Sequence, residues 1–177
     1  MGKKIINKVI ASMFWGIFIC YVVFVLWTLL GRPNSDMGRS LNIVPFKSIM
    51  EGINVYDGIR YKLVDMQVWD NVVVFIPAGL YLMIFYQTKP IINSIVNIFF
   101  FSLCMEILQY IFNIGAADID DVILNCLGGL IGIGIYLLLE KVLKTRDKTK
   151  TAVAAMSAVL GISFIIILII TFVVNFL

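Results

Sequence analysis

The residues of this chain that could do chemistry concentrate at positions 106–132, inside apolar sequence that is typical of membrane-spanning helices. A carboxylate beside hydrocarbon is costly unless it is paired, solvated or used in function. Glu106 lies well inside a predicted span, so we predict that it is functional or specifically paired. Asp118, Asp120 and Asp121 stand at the beginning of the next span, where helix capping is an alternative explanation, with Asp118 as N-cap and Asp121 as the acidic partner of a capping box.

Helical spacing places polar side chains on facing surfaces of two neighbouring spans, with Asp120 pointing elsewhere. The faces comprise Ser102, Glu106, Gln109 and Asn113 on one span, and Asp118, Asp121 and Asn125 on the other, each within about 60°. Residues 114–117 alone join the spans, so we expect an antiparallel hairpin. Glu106 and Asn125 then share a depth roughly 10 Å from the turn. The predicted result is one polar pocket, beside a Gly128-x-x-x-Gly132 face that allows close helix approach.

Three chemistries suit such a pocket. Carboxylate and amide oxygens could bind Mg²⁺ or Ca²⁺, with Glu106, Asp118 and Asp121 as candidate ligands. Glu106 and Asp121 could instead share a proton and act as acid and base, although no catalytic residue is established by the pattern. The third possibility is the binding of the polar head of a ligand whose tail stays in lipid. Asn71, at the start of an earlier span, is a further candidate for the pocket.

Composition limits the class of protein. Of 177 residues, 61% are hydrophobic and 14% charged, and the mean hydropathy is +1.00, which indicates an integral membrane protein surrounded by membrane lipids. The absence of histidine excludes histidine-based zinc sites and Ser-His-Asp triads. A net charge of +3, from basic residues that flank apolar runs, gives no reason to expect a nucleic-acid partner.

Five apolar runs predict an all-α protein with about five transmembrane helices, in which spans three and four form the central hairpin. The runs are residues 9–30, 69–86, 91–112, 118–139 and 152–176. Residues 31–67 form the one sizeable extramembrane loop, where apolar residues from Ile53 to Leu63 at helical spacing predict an interfacial helix. Nine of the 14 Lys and Arg residues, including a basic linker at 140–150, fall on one side, which favours an inside N-terminus and an outside C-terminus. The loop and the hairpin turn then face outward.

Four short blocks of the sequence carry a family resemblance. They are Asn42-Ile43-Val44-Pro45-Phe46, Asn71-Val72-Val73-Val74-Phe75-Ile76-Pro77-Ala78-Gly79, Glu106-Ile107-Leu108-Gln109 and Asp118-Ile119-Asp120-Asp121-Val122-Ile123-Leu124-Asn125-Cys126-Leu127-Gly128-Gly129. In order and spacing these blocks resemble the VanZ-like family. We expect a VanZ-like membrane domain over residues 1–145, followed by a basic linker and an additional span over 146–177. Many members carry an arginine before the Asp-Ile-Asp-Asp block, where this chain reads Ile114-Gly115-Ala116-Ala117. If that arginine neutralises the acids, a cation, a proton or an outer-loop base must replace it here.

The resemblance implies a multi-pass protein of the bacterial plasma membrane linked to teicoplanin or lipoglycopeptide resistance. We expect it to engage the drug or a lipid-linked envelope component in the outward-facing pocket. Two alternatives stay open: an intramembrane enzyme acting on a lipid-linked head group, and a proton-coupled carrier. The predicted ligand-binding residues are Glu106, Gln109, Asp118, Asp121, Asn125, Asn71, Pro45, Phe46 and Lys47.

Overall fold

The computed structural model of the chain describes residues 15–26, 41–56, 61–64, 66–86 and 88–159, and these are mostly helical, as the apolar runs predict. The described elements in chain order are α1 (Trp15–Leu26), β1 (Leu41–Asn42), α2 (Lys47–Glu51), β2 (Ile53–Tyr56), β3 (Tyr61–Val64), α3 (Met66–Phe85), α4 (Pro90–Phe112), β4 (Ala117–Asp118), α5 (Ile119–Leu143) and α6 (residues 146–159). The chain divides into a central unit, Val25–Leu138, and a terminal unit formed by Met1–Phe24 with Leu139–Leu177. Every predicted site residue lies in the central unit.

Three of the described helices, α3, α4 and α5, are long and apolar enough to cross a membrane. They correspond to the second, third and fourth predicted spans. The first predicted span contains the shorter apolar helix α1, and the rest of that span lies outside the described residues. The fifth is helical through residue 159, and its remainder also lies outside them.

Local sequence sets the ends of α4. Pro90 occupies its first turn, where a missing backbone N–H costs nothing, and Lys89 before it has φ 47°. At the other end Asn113 adopts φ 54°, and its N–H donates to the carbonyl of Tyr110. Asparagine tolerates this left-handed conformation better than most residues, so the helix ends there and the chain turns toward β4.

Glycines allow α3 and α5 to approach closely. A Cβ placed on Gly128 would collide with the carbonyl oxygen of Val72, and one on Gly132 would collide with that of Ile76. A Cβ on Gly129 would collide with the Ile98 side chain of α4. The predicted Gly-x-x-x-Gly face therefore packs on α3, while its neighbouring glycine packs on α4.

The loop between α1 and α3 differs from the prediction. Where an interfacial helix was expected, β2 and β3 form an antiparallel pair with Ile53 opposite Val64 and Val55 opposite Lys62. Between the strands the sequence contains Asp57-Gly58, a strong hairpin signal, and isoleucine, valine and tyrosine favour strands over helices. The helical spacing of the apolar residues was therefore misleading.

The terminal unit contains α6, the last turn of α5 and most of α1. Lys144, with φ 60°, ends α5, and its N–H donates to the carbonyl of Glu140 at 2.8 Å. A helix resumes at residue 146, so the predicted basic linker is helical except at residues 144–145. Thr149 Oγ1 donates to the carbonyl of Thr145 at 3.0 Å, and Thr151 Oγ1 donates to that of Asp147 at 2.9 Å.

Candidate functional site

Asp118 joins the loop to the start of α5. Its Oδ1 accepts the backbone N–H of Asp120 at 2.8 Å, which is the bond of an N-cap residue. The same oxygen accepts Nδ2 of Asn42 at 2.9 Å, while Oδ2 accepts the hydroxyl of Ser48. Nδ2 of Asn42 also donates to Ser48 Oγ at 2.9 Å, which closes a triangle of three side chains. The predicted capping role of Asp118 is confirmed, and the same carboxylate also holds the loop.

Backbone pairing reinforces this attachment. β1 and β4 are parallel, with Leu41 opposite Ala117 and Asn42 opposite Asp118. Residues 41–53, which we call the docked loop, are therefore fixed to the beginning of α5 by main chain and side chain together.

Asp120 caps a helix that belongs to another part of the chain. It is 0% exposed, and its two oxygens accept the backbone N–H groups of Phe46 at 2.5 Å and Ile49 at 3.1 Å. These are the N-cap and N3 positions of α2, the two donors that a capping box satisfies. Neither Phe46 nor Ile49 has a side chain that could make those bonds. A buried carboxylate needs such hydrogen bonds, and α2 needs the acceptors.

Phe46 has an unusual backbone conformation. Its φ of 66° lies in the left-handed region, which a bulky residue rarely occupies and which costs about 1–3 kcal/mol. The Asp120 carboxylate holds its N–H, and its carbonyl accepts the N–H of Met50 at 3.0 Å. Its side chain stays exposed. The backbone is thus held firmly while the aromatic ring faces outward from the protein.

Glu106 reaches across the turn between α4 and α5. Its Oε2 accepts the backbone N–H of Asp118 at 2.8 Å. In a capping box the Asp121 side chain would accept this N–H. Here Glu106, from the preceding helix, accepts it instead. Gln109 lies beneath the turn, where its side chain is in van der Waals range of a Cβ built on Gly115. Both Glu106 and Gln109 are buried.

The remaining polar residues connect the three long helices. Asn71 on α3 donates from Nδ2 to Asp121 Oδ1 at 2.5 Å. Asn125 on α5 donates from Nδ2 to Ser102 Oγ on α4 at 2.8 Å. The prediction placed Glu106 level with Asn125, whereas the hydrogen-bonded partner of Asn125 is Ser102, one turn farther from the hairpin turn. Together these side chains form the polar cluster: Asn71, Ser102, Glu106, Gln109, Asp118, Asp120, Asp121 and Asn125.

The predicted site residues fall into two groups. Pro45, Phe46 and Lys47 are exposed on the docked loop. The others lie in the polar cluster, where all are buried except the half-buried Asp118 and Asp121: Asn71, Glu106, Gln109, Asp118, Asp121 and Asn125. Hydrogen bonds from the docked loop to Asp118 and Asp120 connect the two groups.

Sequence reasoning missed four participants: Asn42, Ser48, Ser102 and Asp120. Ser102 was placed on the polar face without a role, and Asp120 was set aside because it pointed away from that face. Asn42 and Asp120 both stood inside the motif blocks. A search for partners between those blocks would have connected them.

Neutral donors bond to two of the acids. Asp118 and Asp120 accept hydrogen bonds from an amide, a hydroxyl and backbone N–H groups. These neutral donors leave the negative charges in place, so the base, cation or proton expected to replace the family's arginine stays a prediction. Among the described residues, no three of the Asp, Glu and Cys side chains come together in a way that could hold a metal ion.

The chain is similar in sequence to known proteins. The sequence model of the family described as VanZ/LLP1 matches residues 11–140, a range that includes the docked loop and the whole polar cluster. Protein VanZ of Enterococcus faecium is 32% identical over 133 residues, which cover 71% of this chain and 74% of that protein. No solved structure matches the chain.

Proposed function

This chain belongs to the VanZ/LLP1 family, and from that premise we propose that it contributes to teicoplanin or lipoglycopeptide resistance by binding an amphiphilic ligand. The ligand is the drug or a lipid-linked component of the cell envelope. The protein is a multi-pass protein of the bacterial plasma membrane with about five spans, an inside N-terminus and an outside C-terminus. The three long apolar helices and the distribution of basic residues support this arrangement.

One observation carries the proposal: an exposed aromatic and an exposed cation stand next to each other on a firmly held backbone. Phe46 and Lys47 are both exposed, and Asp120 holds the N–H of Phe46. A ligand with an anionic head and an apolar portion would contact Lys47 with the first and Phe46 with the second. Because the backbone is already ordered, binding would cost less conformational entropy than at a mobile loop.

The polar cluster supports this surface in the proposed function. Asp118 and Asp120 hold the docked loop through four hydrogen bonds, donated by Asn42, Ser48, Phe46 and Ile49. The bond from the N–H of Asp120 to Asp118 stays within the start of α5. Glu106 in turn orients Asp118 through its backbone N–H. Removing a carboxylate would therefore weaken ligand binding by displacing Phe46 and Lys47, even where that carboxylate does not touch the ligand.

Resistance in living cells tests the proposal. The full chain is expressed in a teicoplanin-susceptible Gram-positive host that lacks a relative, and the minimal inhibitory concentration is measured. We expect it to rise for teicoplanin and to change little for a glycopeptide that has no acyl chain. Lys47→Gln should lower this protection severalfold at an equal membrane level. No rise with the well-expressed natural chain would contradict the proposal.

A matched control and a binding assay sharpen the test. Lys89→Gln removes an exposed lysine at the opposite end of α4, so it should leave protection unchanged. Purified protein in detergent should bind teicoplanin saturably and more weakly after Lys47→Gln. Turnover of a lipid-linked head group by the purified protein would favour the enzyme alternative instead.

A further inference from the structure

The docked loop points its uncharged polar side chains toward the protein and exposes most of its apolar side chains. Its polar residues Asn42 and Ser48 point toward Asp118 and are half-buried. Seven of its nine exposed residues are apolar: Leu41, Ile43, Val44, Pro45, Phe46, Met50 and Ile53. The other two, Lys47 and Glu51, are charged and long enough to reach the head groups. Ile43 and Met50 are 71% and 72% exposed. A loop in water places its polar side chains outward, so this segment is suited to a different medium.

The backbone of the docked loop is also suited to an apolar medium, where every N–H needs a partner within the protein. The N–H of Val44 donates to Asn42 Oδ1 at 3.2 Å, and those of Phe46 and Ile49 donate to Asp120. Met50 and Gly52 donate to carbonyls one turn earlier. Pro45 has no N–H to satisfy. The buried Asp120 carboxylate thus removes two donors that would otherwise need water.

The position of the docked loop places it at the edge of the hydrocarbon layer. α4 and α5 contain 23 and 25 residues, which gives lengths of about 35 and 38 Å, slightly more than the roughly 30 Å hydrocarbon core. The loop is attached to Asp118 and Asp120, at the very beginning of α5. At the neighbouring end of α4, Ile111 and Phe112 are exposed apolar residues. The apolar surface of the loop therefore continues the apolar surface of the membrane-spanning helices.

We infer that the docked loop is inserted into the lipid bilayer, with Ile43, Val44, Phe46 and Met50 in contact with acyl chains just below the head groups. The partner is the lipid itself. This inference goes beyond the proposed function and does not depend on an antibiotic or on any other ligand. It gives the aspartates a physical purpose, since they satisfy the polar groups of a segment that lies where water is scarce.

Spin labelling of the full chain tests this inference. Cys20, Cys104 and Cys126 are replaced by alanine, and single cysteines are introduced by Ile43→Cys and Met50→Cys for nitroxide labelling. Both positions are largely exposed, so the substitutions remove no packing inside the protein. The protein is reconstituted into phosphatidylcholine–phosphatidylglycerol vesicles. Collision of each label with oxygen, which concentrates in lipid, is compared with collision with a water-soluble nickel chelate.

Two control positions calibrate the result. Phe100→Cys lies on the exposed surface midway along α4, and Thr145→Cys lies at an exposed polar position after α5. We expect labels at positions 43 and 50 to collide more with oxygen than with the nickel chelate, as at position 100. A preference for the nickel chelate, as at position 145, would overturn the inference. Low collision with both reagents would also overturn it, because the loop would then be covered by protein or by a second copy of the chain.

Discussion

Glu106 and Asp118 are joined by a hydrogen bond of 2.8 Å, in which a side-chain oxygen of Glu106 accepts the backbone N–H of Asp118. The bond connects α4 to β4 across twelve positions of sequence. It places a buried acid next to the N-terminus of α5, where the helix dipole favours negative charge. Asp118 in turn holds Asn42 and Ser48 of the docked loop. A chain of hydrogen bonds therefore runs from Glu106 in α4, through Asp118, to the docked loop.

The first prediction separates the two contributions of Glu106, its hydrogen bond and its charge. Glu106→Ala leaves the Asp118 N–H without this acceptor and should lower the free energy of unfolding by about 1–3 kcal/mol. Glu106→Gln retains an acceptor oxygen and should cost less. Thermal unfolding of the purified protein in detergent measures both.

The same variants test the role of Glu106 in resistance. Under the proposed function, both should abolish protection against teicoplanin, because the docked loop loses its orientation or the site loses a charge. Glu140→Gln, near the other end of α5, is the matched control and should protect fully. Full protection by a well-expressed Glu106→Gln protein would rule out a need for the charge.

The second prediction concerns the capping of α2 by Asp120. In Asp120→Asn, an amide NH₂ replaces one of the two acceptor oxygens and faces a backbone N–H, so one of the bonds to Phe46 or Ile49 is lost. We expect local opening of the docked loop to become easier by about 1–3 kcal/mol, which corresponds to roughly 5- to 150-fold faster amide exchange. Hydrogen–deuterium exchange of peptides covering residues 41–53 measures the change. Glu51→Gln, exposed at the end of α2, should leave exchange unchanged.

The third prediction tests the close packing of α3 and α5. In Gly132→Ala the new methyl group would meet the carbonyl of Ile76, so the helices must move apart at a cost of about 1–3 kcal/mol or more. Gly134→Ala is the matched control, because a Cβ there meets nothing within 4 Å. It should be neutral or stabilise α5 by up to about 1 kcal/mol, since alanine favours a helix over glycine. Equal unfolding temperatures for the two variants would contradict this packing.

The long helices could be predicted from sequence because hydropathy and proline or asparagine breaks act locally. The predicted span 91–112 differs from α4 by one residue at its start, and Pro90 accounts for that residue. The docked loop could not be predicted in the same way. Its short strand β1 pairs with β4, 76 positions later, and a two-residue strand carries no periodic signal. Such pairing depends on tertiary contacts that no local pattern records.

The sequence predicted most residues of the polar cluster, but not which of them are hydrogen-bonded to each other. Helical spacing correctly grouped Glu106 with Gln109, and Asp121 with Asn125, as buried or half-buried polar residues. It treated the two helices as an isolated pair, so it could not assign Asp121 to Asn71 on a third helix. Helical spacing also excluded Asp120, because its side chain points away from the polar face of α5. The docked loop contacts Asp120 from that side of the helix.

The fourth prediction measures the interhelical bond between Asn125 and Ser102. Hydrogen bonds between membrane helices contribute on average about 0.6 kcal/mol, with a maximum near about 1.7 kcal/mol. The double-mutant cycle of Asn125→Ala and Ser102→Ala should give a coupling free energy in this range, because the two side chains bond directly at 2.8 Å. A second cycle with Asn125→Ala and Ser94→Ala provides the control, since Ser94 lies two turns away on α4. Its coupling should be near zero, and a value equal to the first would show that the effect is not pairwise.

The fifth prediction concerns which side of the membrane the docked loop faces. In a chain whose native cysteines are replaced by alanine, single cysteines are placed by Lys47→Cys and Lys144→Cys, both at exposed positions. If the N-terminus is inside, the first span places position 47 outside, so a membrane-impermeant maleimide should label it in intact cells. The three spans α3, α4 and α5 then return the chain to the inside. Position 144 should react only after the cells are permeabilised. The reverse pattern would invert the topology, and it would also place Phe46 and Lys47 where an antibiotic acting outside the cell cannot reach them.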